Sequence, residues 1–255
     1  MTNVPFRAGA IVALDELLRG KLTDAKQVRL GVTPVRLFGP WALVLGAIHG
    51  SFIAWYAIAG GASGAWLHLF YVMVKLPALF LLTLFVTFPS LYVFNALMGC
   101  GLGFRATLRL LVATIVVNLA LAASLGPILA FFTVSTTSYT FIVLLNVALL
   151  GIAGIVSVGF LLRTLMQLQE ADRVEAEKAA DASAELVSRR SVTGMFMIWI
   201  LTYALVGSQM GWLLRPFIGH PGQELTFFRP RSGSFIESVW NSTAGQMDPR
   251  SGVRK

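Results

Sequence analysis

The feature that most constrains this sequence is a long stretch without acidic side chains. No Asp or Glu occurs between Ala25 and Gln169, which is more than half of the 255 residues. Within it lie several apolar runs of about 20 residues or more, the length that a helix needs to cross about 30 Å of hydrocarbon. The chain is 56% hydrophobic and 13% charged, whereas soluble domains carry about 25% charged residues. The sequence therefore predicts an all-α polytopic membrane protein and excludes a water-soluble fold.

The apolar runs predict about five transmembrane helices. The second run is too long for one straight crossing at about 1.5 Å per residue, and Pro77 and Pro89 inside it predict a broken helix. Before the first span, apolar residues on one face predict an amphipathic helix that either lies on the membrane surface or packs as a cytosolic helix. The predicted spans are residues 38–60, 67–98, 108–132, 141–165 and 194–214.

These spans divide the chain into five parts. Residues 1–37 form the amphipathic N-terminal segment, residues 38–165 a four-helix transmembrane unit, and residues 194–214 the fifth span. Residues 166–193 mix acids, bases and alanines, a pattern typical of a solvated helical linker. Residues 215–255 are rich in Arg, Pro and aromatic side chains, which predicts a tail that folds back on the membrane interface.

The distribution of Lys and Arg predicts the orientation. Basic residues precede the first and third spans and follow the fourth, whereas the loops 61–65 and 135–138 carry no charge. This asymmetry predicts a cytoplasmic N-terminus and, with five spans, a periplasmic C-terminus. The basic tail favours the opposite placement of the C-terminus, which would need a re-entrant fifth segment or a sixth short span.

The net charge of +8 does not indicate nucleic-acid binding here. The basic residues cluster beside apolar spans, where anionic lipid and membrane topology explain them. The expected partners are therefore membrane lipids and a membrane protein or a second copy of the chain, not nucleic acid.

His49 is the first candidate site, because it lies near the middle of the first span. A buried imidazole is costly in hydrocarbon, so it could serve as a proton relay or as a ligand to haem or a pigment. The alternative is a neutral imidazole that hydrogen-bonds across a tight helix contact, since Gly46 and Gly50 form a G-x-x-x-G pair around it. A bis-histidine haem is excluded because His68 begins the next span, about 15 Å away in depth. We expect no cofactor, and His49 is the candidate ligand if one is present.

Lys75 is the second candidate, because long apolar sequence flanks it on both sides. If the second span begins at Leu67, the ammonium lies about 12 Å deep and suits an anionic substrate or a lipid headgroup. If residues 66–75 lie along the interface instead, Lys75 snorkels to the membrane surface.

The remaining candidates are polar or small residues in the spans and basic residues in the tail. Side-chain amides in spanning helices hydrogen-bond between helices or line a pathway, and small residues allow close helix contact. Arginines beside aromatic residues suit an interfacial anchor, a phosphate contact or a protein contact. The amides are Asn95, Asn118, Asn146 and Gln209; the second glycine pair is Gly207 and Gly211; the arginines are Arg215, Arg229 and Arg231.

No catalytic, metal or nucleotide motif stands out in the sequence. The single Cys100 forms no internal disulfide, and no Cys or His cluster has the spacing of a zinc site. Three histidines and the scarcity of acids leave no obvious general acid or base. The absence of intramembrane carboxylates also weighs against ion-coupled transport. The sequence therefore favours a protein that is not an enzyme.

Two stretches carry a resemblance to other proteins. KLPALFLLTL at 75–84 with FPSLYVFNALMG at 88–99, and QMGWLLRPFIG at 209–219 with FFR at 227–229, resemble a group of uncharacterised bacterial polytopic membrane proteins. The similarity covers most of the chain beyond Leu67. It implies a bacterial cytoplasmic membrane and no particular activity.

The functional hypothesis from the sequence is a non-catalytic subunit or scaffold of a membrane complex. Polar sequence is concentrated in the linker and the tail, where it is available to a partner. The alternative is a transporter or lipid-handling protein that uses the proline-broken second span and Lys75.

Overall fold

The described part of the chain consists mainly of long helices. The computed structural model describes residues 6–21, 35–97, 104–136, 138–178, 185–214 and 217–219. Within these ranges there are no strands, which confirms the predicted all-α class. The six helices are α1 (Phe6–Leu18), α2 (Val35–Ala59), α3 (Ala65–Leu97), α4 (Phe104–Ser135), α5 (Tyr139–Lys178) and α6 (Glu185–Leu214).

Five of these helices are long and apolar enough to cross a membrane, as the sequence predicts. Their lengths of 19 to 32 residues meet or exceed the approximately 20 residues that a bilayer requires. The chain is therefore a multi-pass membrane protein. The spanning parts are Phe38–Ala59, Ala65–Val93, Phe104–Ser135, Tyr139–Leu168 and Phe196–Leu214.

The helix α2 is the centre of the bundle. It packs against α3 on one side and α4 on the other, while α5 packs on α4 and α6 packs on α3. The outermost helices α5 and α6 touch each other only slightly. This arrangement leaves a gap between α5 and α6 that the inner helices close from behind.

The contact between α2 and α3 is close because glycines remove side chains from it. A Cβ atom placed on Gly46 would lie 2.8 Å from Pro77 Cβ, and one placed on Gly50 would lie 2.8 Å from the Val72 carbonyl oxygen. The two helix backbones therefore meet without an intervening side chain at both positions.

The prolines do not interrupt α3, contrary to the expectation of a broken second span. Pro77 and Pro89 both lie inside one helix from Ala65 to Leu97. Each proline removes one backbone donor, but packing on both sides of α3 holds the helix together. Pro77 itself fits against Gly46 of α2.

The two ends of the bundle have different neighbours. At one end, α1 buries Leu17 in the same cluster as Phe38 and Leu110, near the starts of α2 and α4. At the other end, the His68 ring contacts the Phe217 carbonyl, just beyond α6. Phe217 is thus at the end opposite α1, as expected for an odd number of crossings. Ile11, Val12 and Leu18 of α1 remain exposed.

Glycine forms the turn between α2 and α3. Gly61 and Gly64 have φ values of 64° and 78°, a left-handed conformation that side chains with a Cβ rarely adopt. The Gly61 amide donates to the Ile58 carbonyl at 3.0 Å, which closes the end of α2.

Candidate functional site

The His49 side chain is completely buried in the middle of the bundle. The Ala122 carbonyl of α4 and the Asn146 side chain of α5 face its imidazole. Neither ring nitrogen completes a hydrogen bond in the described structure, and the Asn146 Oδ1 atom is also without a partner. Three helices therefore bring polar groups together around His49 without pairing them fully.

Lys75 is buried inside the protein, at 1% exposed. It follows the start of α3 at Ala65 by ten residues, or about 15 Å of helix. The ammonium is thus covered by protein. The snorkelling alternative requires it to lie on the surface instead.

His68 lies two helical turns before Lys75 and is also fully buried. Its Nε2 atom is 3.0 Å from the Phe217 carbonyl oxygen. Because a carbonyl only accepts, Nε2 carries the proton in this contact. His68 therefore attaches the residues after α6 to the start of α3.

The four predicted amides occupy different environments. Asn118 of α4 and Asn146 of α5 are both 8% exposed, and the Oδ1 atom of each has no hydrogen-bond partner among the described residues. Gln209 of α6 is half-buried. Asn95 lies in α3, but its side chain is outside the described part of the structure.

The second glycine pair contacts its surroundings unequally. A Cβ on Gly207 would meet the Thr83 methyl group at 3.5 Å, whereas one on Gly211 would meet nothing within 4 Å. The tail arginines, Arg215, Arg229 and Arg231, lie outside the described residues.

A cavity of about 570 Å³ occupies the gap between α5 and α6. We call it the α5–α6 cavity. Residues of α4 and α3, among them Asn118 and Phe80, form its inner wall. Its mouth lies between Ile155 of α5, which is 75% exposed, and Ala204 of α6, which is also exposed. Both residues lie within the spanning parts of their helices.

Most polar groups in the wall of this cavity donate their protons to the protein itself. The Thr114 and Ser157 hydroxyls donate to backbone carbonyls of their own helices, at 2.9 Å each. The Tyr203 hydroxyl donates to the Phe80 carbonyl at 3.1 Å, and the Trp199 indole donates to a carbonyl of α3, also at 3.1 Å. Asn118 is the exception among the described residues of the wall, because its Oδ1 atom accepts no hydrogen bond.

The cavity brings together residues that the sequence does not group, and it includes some that the sequence does not mark as candidate site residues. Asn118 is a candidate from the sequence, but Trp199 and Tyr203 are not. The feature of the sequence that could have identified them is their polar ends, because buried Trp and Tyr side chains usually reach a hydrogen-bond partner. Their aromatic rings also pack together, with centroids 5.2 Å apart.

A metal centre is not formed by the described residues. They contain no group of three His, Cys, Asp or Glu side chains that could hold a metal ion. No protein-family model, curated protein or solved structure matches the chain.

Proposed function

We propose that this membrane protein is a non-catalytic subunit or scaffold of a membrane complex, and that a partner binds the helical projection at one end of the bundle. The projection consists of residues 169–178 of α5 and 185–195 of α6. The partner is either another membrane protein or a second copy of the chain.

The observation that carries this proposal is the continuation of two helices beyond their spanning parts. The spanning part of α5 ends at Leu168 but the helix continues to Lys178, and α6 begins at Glu185 but its spanning part begins at Phe196. Each extension is about 15 Å long at about 1.5 Å per residue. The helical backbone of these extensions is already ordered, so binding of a partner to their charged residues costs little backbone entropy.

The charges on the projection suit recognition rather than burial. Both signs occur along it, which supports complementarity with a charged partner surface. Its charged residues are Glu170, Asp172, Arg173, Glu175, Glu177 and Lys178 in α5, and Glu185, Arg189 and Arg190 in α6.

Affinity purification in mild detergent tests this proposal. The wild-type protein should retain a second chain, and Glu175→Lys with Glu177→Lys should reduce its recovery about tenfold, because like charges then face each other. The added lysines leave the basic bias of this loop intact. Asp15→Lys with Glu16→Lys on α1 is the matched control and should retain the partner. A wild-type protein that always runs as a single chain would refute the proposal.

We further propose that the chain resides in a bacterial cytoplasmic membrane, with the projection and α1 inside and the turn at Gly61 outside. The bias of basic residues supports this orientation. In a Cys100→Ser background, a membrane-impermeant maleimide should label Ser63→Cys in whole cells but leave Glu170→Cys unlabelled. The reverse labelling pattern would overturn the orientation.

A second candidate function is transport or lipid handling through Lys75. The burial of this ammonium inside α3 favours it, because a charge at membrane depth is expensive and commonly functional. Reconstituted wild-type protein should then move an anion or a lipid across liposomes, and Lys75→Ala should abolish the movement. No movement by the wild-type protein would count against this candidate.

A further inference from the structure

One side chain in the wall of the α5–α6 cavity carries an unsatisfied polar atom. Asn118 lies 14 residues after Phe104 and 17 before Ser135, so it is near the middle of α4. Its side chain is more than nine-tenths buried and lines the cavity, while its Oδ1 atom is itself buried and has no partner among the described residues. A buried amide in this condition is destabilising until something hydrogen-bonds it.

The size of the cavity indicates what can enter. An α-helix about 10 Å wide fills about 420 Å³ in each turn of about 5.4 Å. The cavity of about 570 Å³ therefore holds little more than one turn, whereas a spanning partner helix has five or six turns. It does fall within the range of roughly 300–1,000 Å³ that is typical of small-molecule sites.

The chemistry of the wall selects a neutral ligand. None of the described residues that line the cavity carries a charge, so a phosphate or ammonium group would be unpaired there. The headgroup and ester groups of a phospholipid also lie at the interface, roughly 15 Å from the midplane of a bilayer about 30 Å thick. Such a lipid could place only hydrocarbon beside Asn118, and hydrocarbon cannot satisfy an amide.

We propose that the α5–α6 cavity binds a neutral lipid from the membrane, with an apolar chain between α5 and α6 and a hydroxyl or carbonyl group hydrogen-bonded to the Asn118 amide. The ligand oxygen, of a hydroxyl or of a carbonyl, accepts from the Asn118 NH₂ group, because the Oδ1 atom itself is buried. The aromatic pair Trp199 and Tyr203 forms an apolar wall beside the ligand. The position of this wall is fixed because the polar end of each side chain donates a hydrogen bond to a carbonyl of α3.

Photolabelling of the reconstituted protein tests this site. The probe is hexadecanol with a diazirine in its chain, and the comparison is phosphatidylcholine with a diazirine in an acyl chain. Peptide mapping should place the alcohol label on residues 150–161 of α5 and 199–204 of α6. Excess unlabelled hexadecanol should compete, and a decyl-substituted quinone should compete as well if a carbonyl is accepted.

Two glycines of α5 provide a matched pair of variants. A Cβ on Gly154 or on Gly159 meets nothing within 4 Å, but only Gly154 lines the cavity. Gly154→Leu should therefore reduce labelling at least about tenfold, while Gly159→Leu should leave it within about twofold of wild type.

Asn118→Leu separates ligand binding from a structural role of the amide. It should reduce labelling about fivefold, the equivalent of one net hydrogen bond, and raise the melting temperature of the ligand-free protein. A lower melting temperature with unchanged labelling would show a structural amide and refute the proposal. Equal labelling by phosphatidylcholine, equal labelling of the two glycine variants, or a partner helix cross-linked inside the cavity would also refute it.

Discussion

Substitution of Gly50 by alanine tests the close contact at the centre of the bundle. The added Cβ would lie 2.8 Å from the Val72 carbonyl oxygen and 3.1 Å from the Met73 Cα atom. Ordinary van der Waals contact begins at 3.4 Å, so α2 and α3 must separate by about 0.6 Å. Both obstructing atoms are backbone atoms of a packed helix, and neither can rotate away.

The expected loss of stability follows from that displacement. A gap of about 0.5–1 Å forfeits a quarter to a half of the dispersion energy of the affected atom pairs, and overpacking of this kind costs about 1–3 kcal/mol. Alanine recovers up to about 1 kcal/mol through its better helix propensity. We therefore expect Gly50→Ala to lower the free energy of unfolding by about 1–2 kcal/mol.

Unfolding by SDS in mixed micelles, followed by tryptophan fluorescence, measures this difference. Gly159→Ala is the control, because the new Cβ meets nothing within 4 Å, and it should be neutral or stabilising by up to about 1 kcal/mol. If Gly50→Ala were as stable as Gly159→Ala, the proposed backbone contact between α2 and α3 would be wrong.

Three further predictions concern other contacts and use the same unfolding measurement. Gly126→Ala should destabilise the protein by about 1–3 kcal/mol, because its Cβ would overlap the Phe52 ring. A double-mutant cycle with Phe52→Ala should reveal a coupling above about 0.5 kcal/mol. Strict additivity of the two substitutions would contradict the overlap. Trp199→Phe should cost about 0.5–1.5 kcal/mol through loss of the hydrogen bond to the Thr87 carbonyl, and an unchanged midpoint would exclude a stabilising bond. Arg19→Gln should change stability by less than about 0.5 kcal/mol, because its ion pair on α1 is exposed to solvent; a larger effect would indicate a role beyond that pair.

The number and approximate position of the spans are predictable because bilayer crossing depends on local composition. A run of apolar residues without carboxylates, such as the one between Ala25 and Gln169, needs no knowledge of the tertiary structure to be recognised. The same reasoning does not predict that α3 is one continuous helix. Proline weakens a helix locally, but the neighbours that hold Pro77 in place come from a different helix.

The candidate sites are less predictable because they depend on which helices become neighbours. The spacing of Gly46 and Gly50 indicates a close contact but does not identify α3 as the opposite surface. Lys75 has the same sequence context whether it reaches the interface or is covered by the bundle. The α5–α6 cavity combines Asn118 with Tyr203, and their relation appears only when the bundle brings α4 and α6 to the same cavity.

The attachment of α6 to α3 also has a consequence for how the protein is made. Tyr203 and Trp199 bond to carbonyls that precede them by 123 and 112 residues. A ribosome that adds about 5–20 residues per second needs roughly 5–25 s to cover that separation. Throughout this interval, the face of α3 that accepts these hydrogen bonds lies in the membrane without α6. We expect neighbouring nascent chains to compete for that face, so that exchange of the last helix between copies is the characteristic assembly error of this protein.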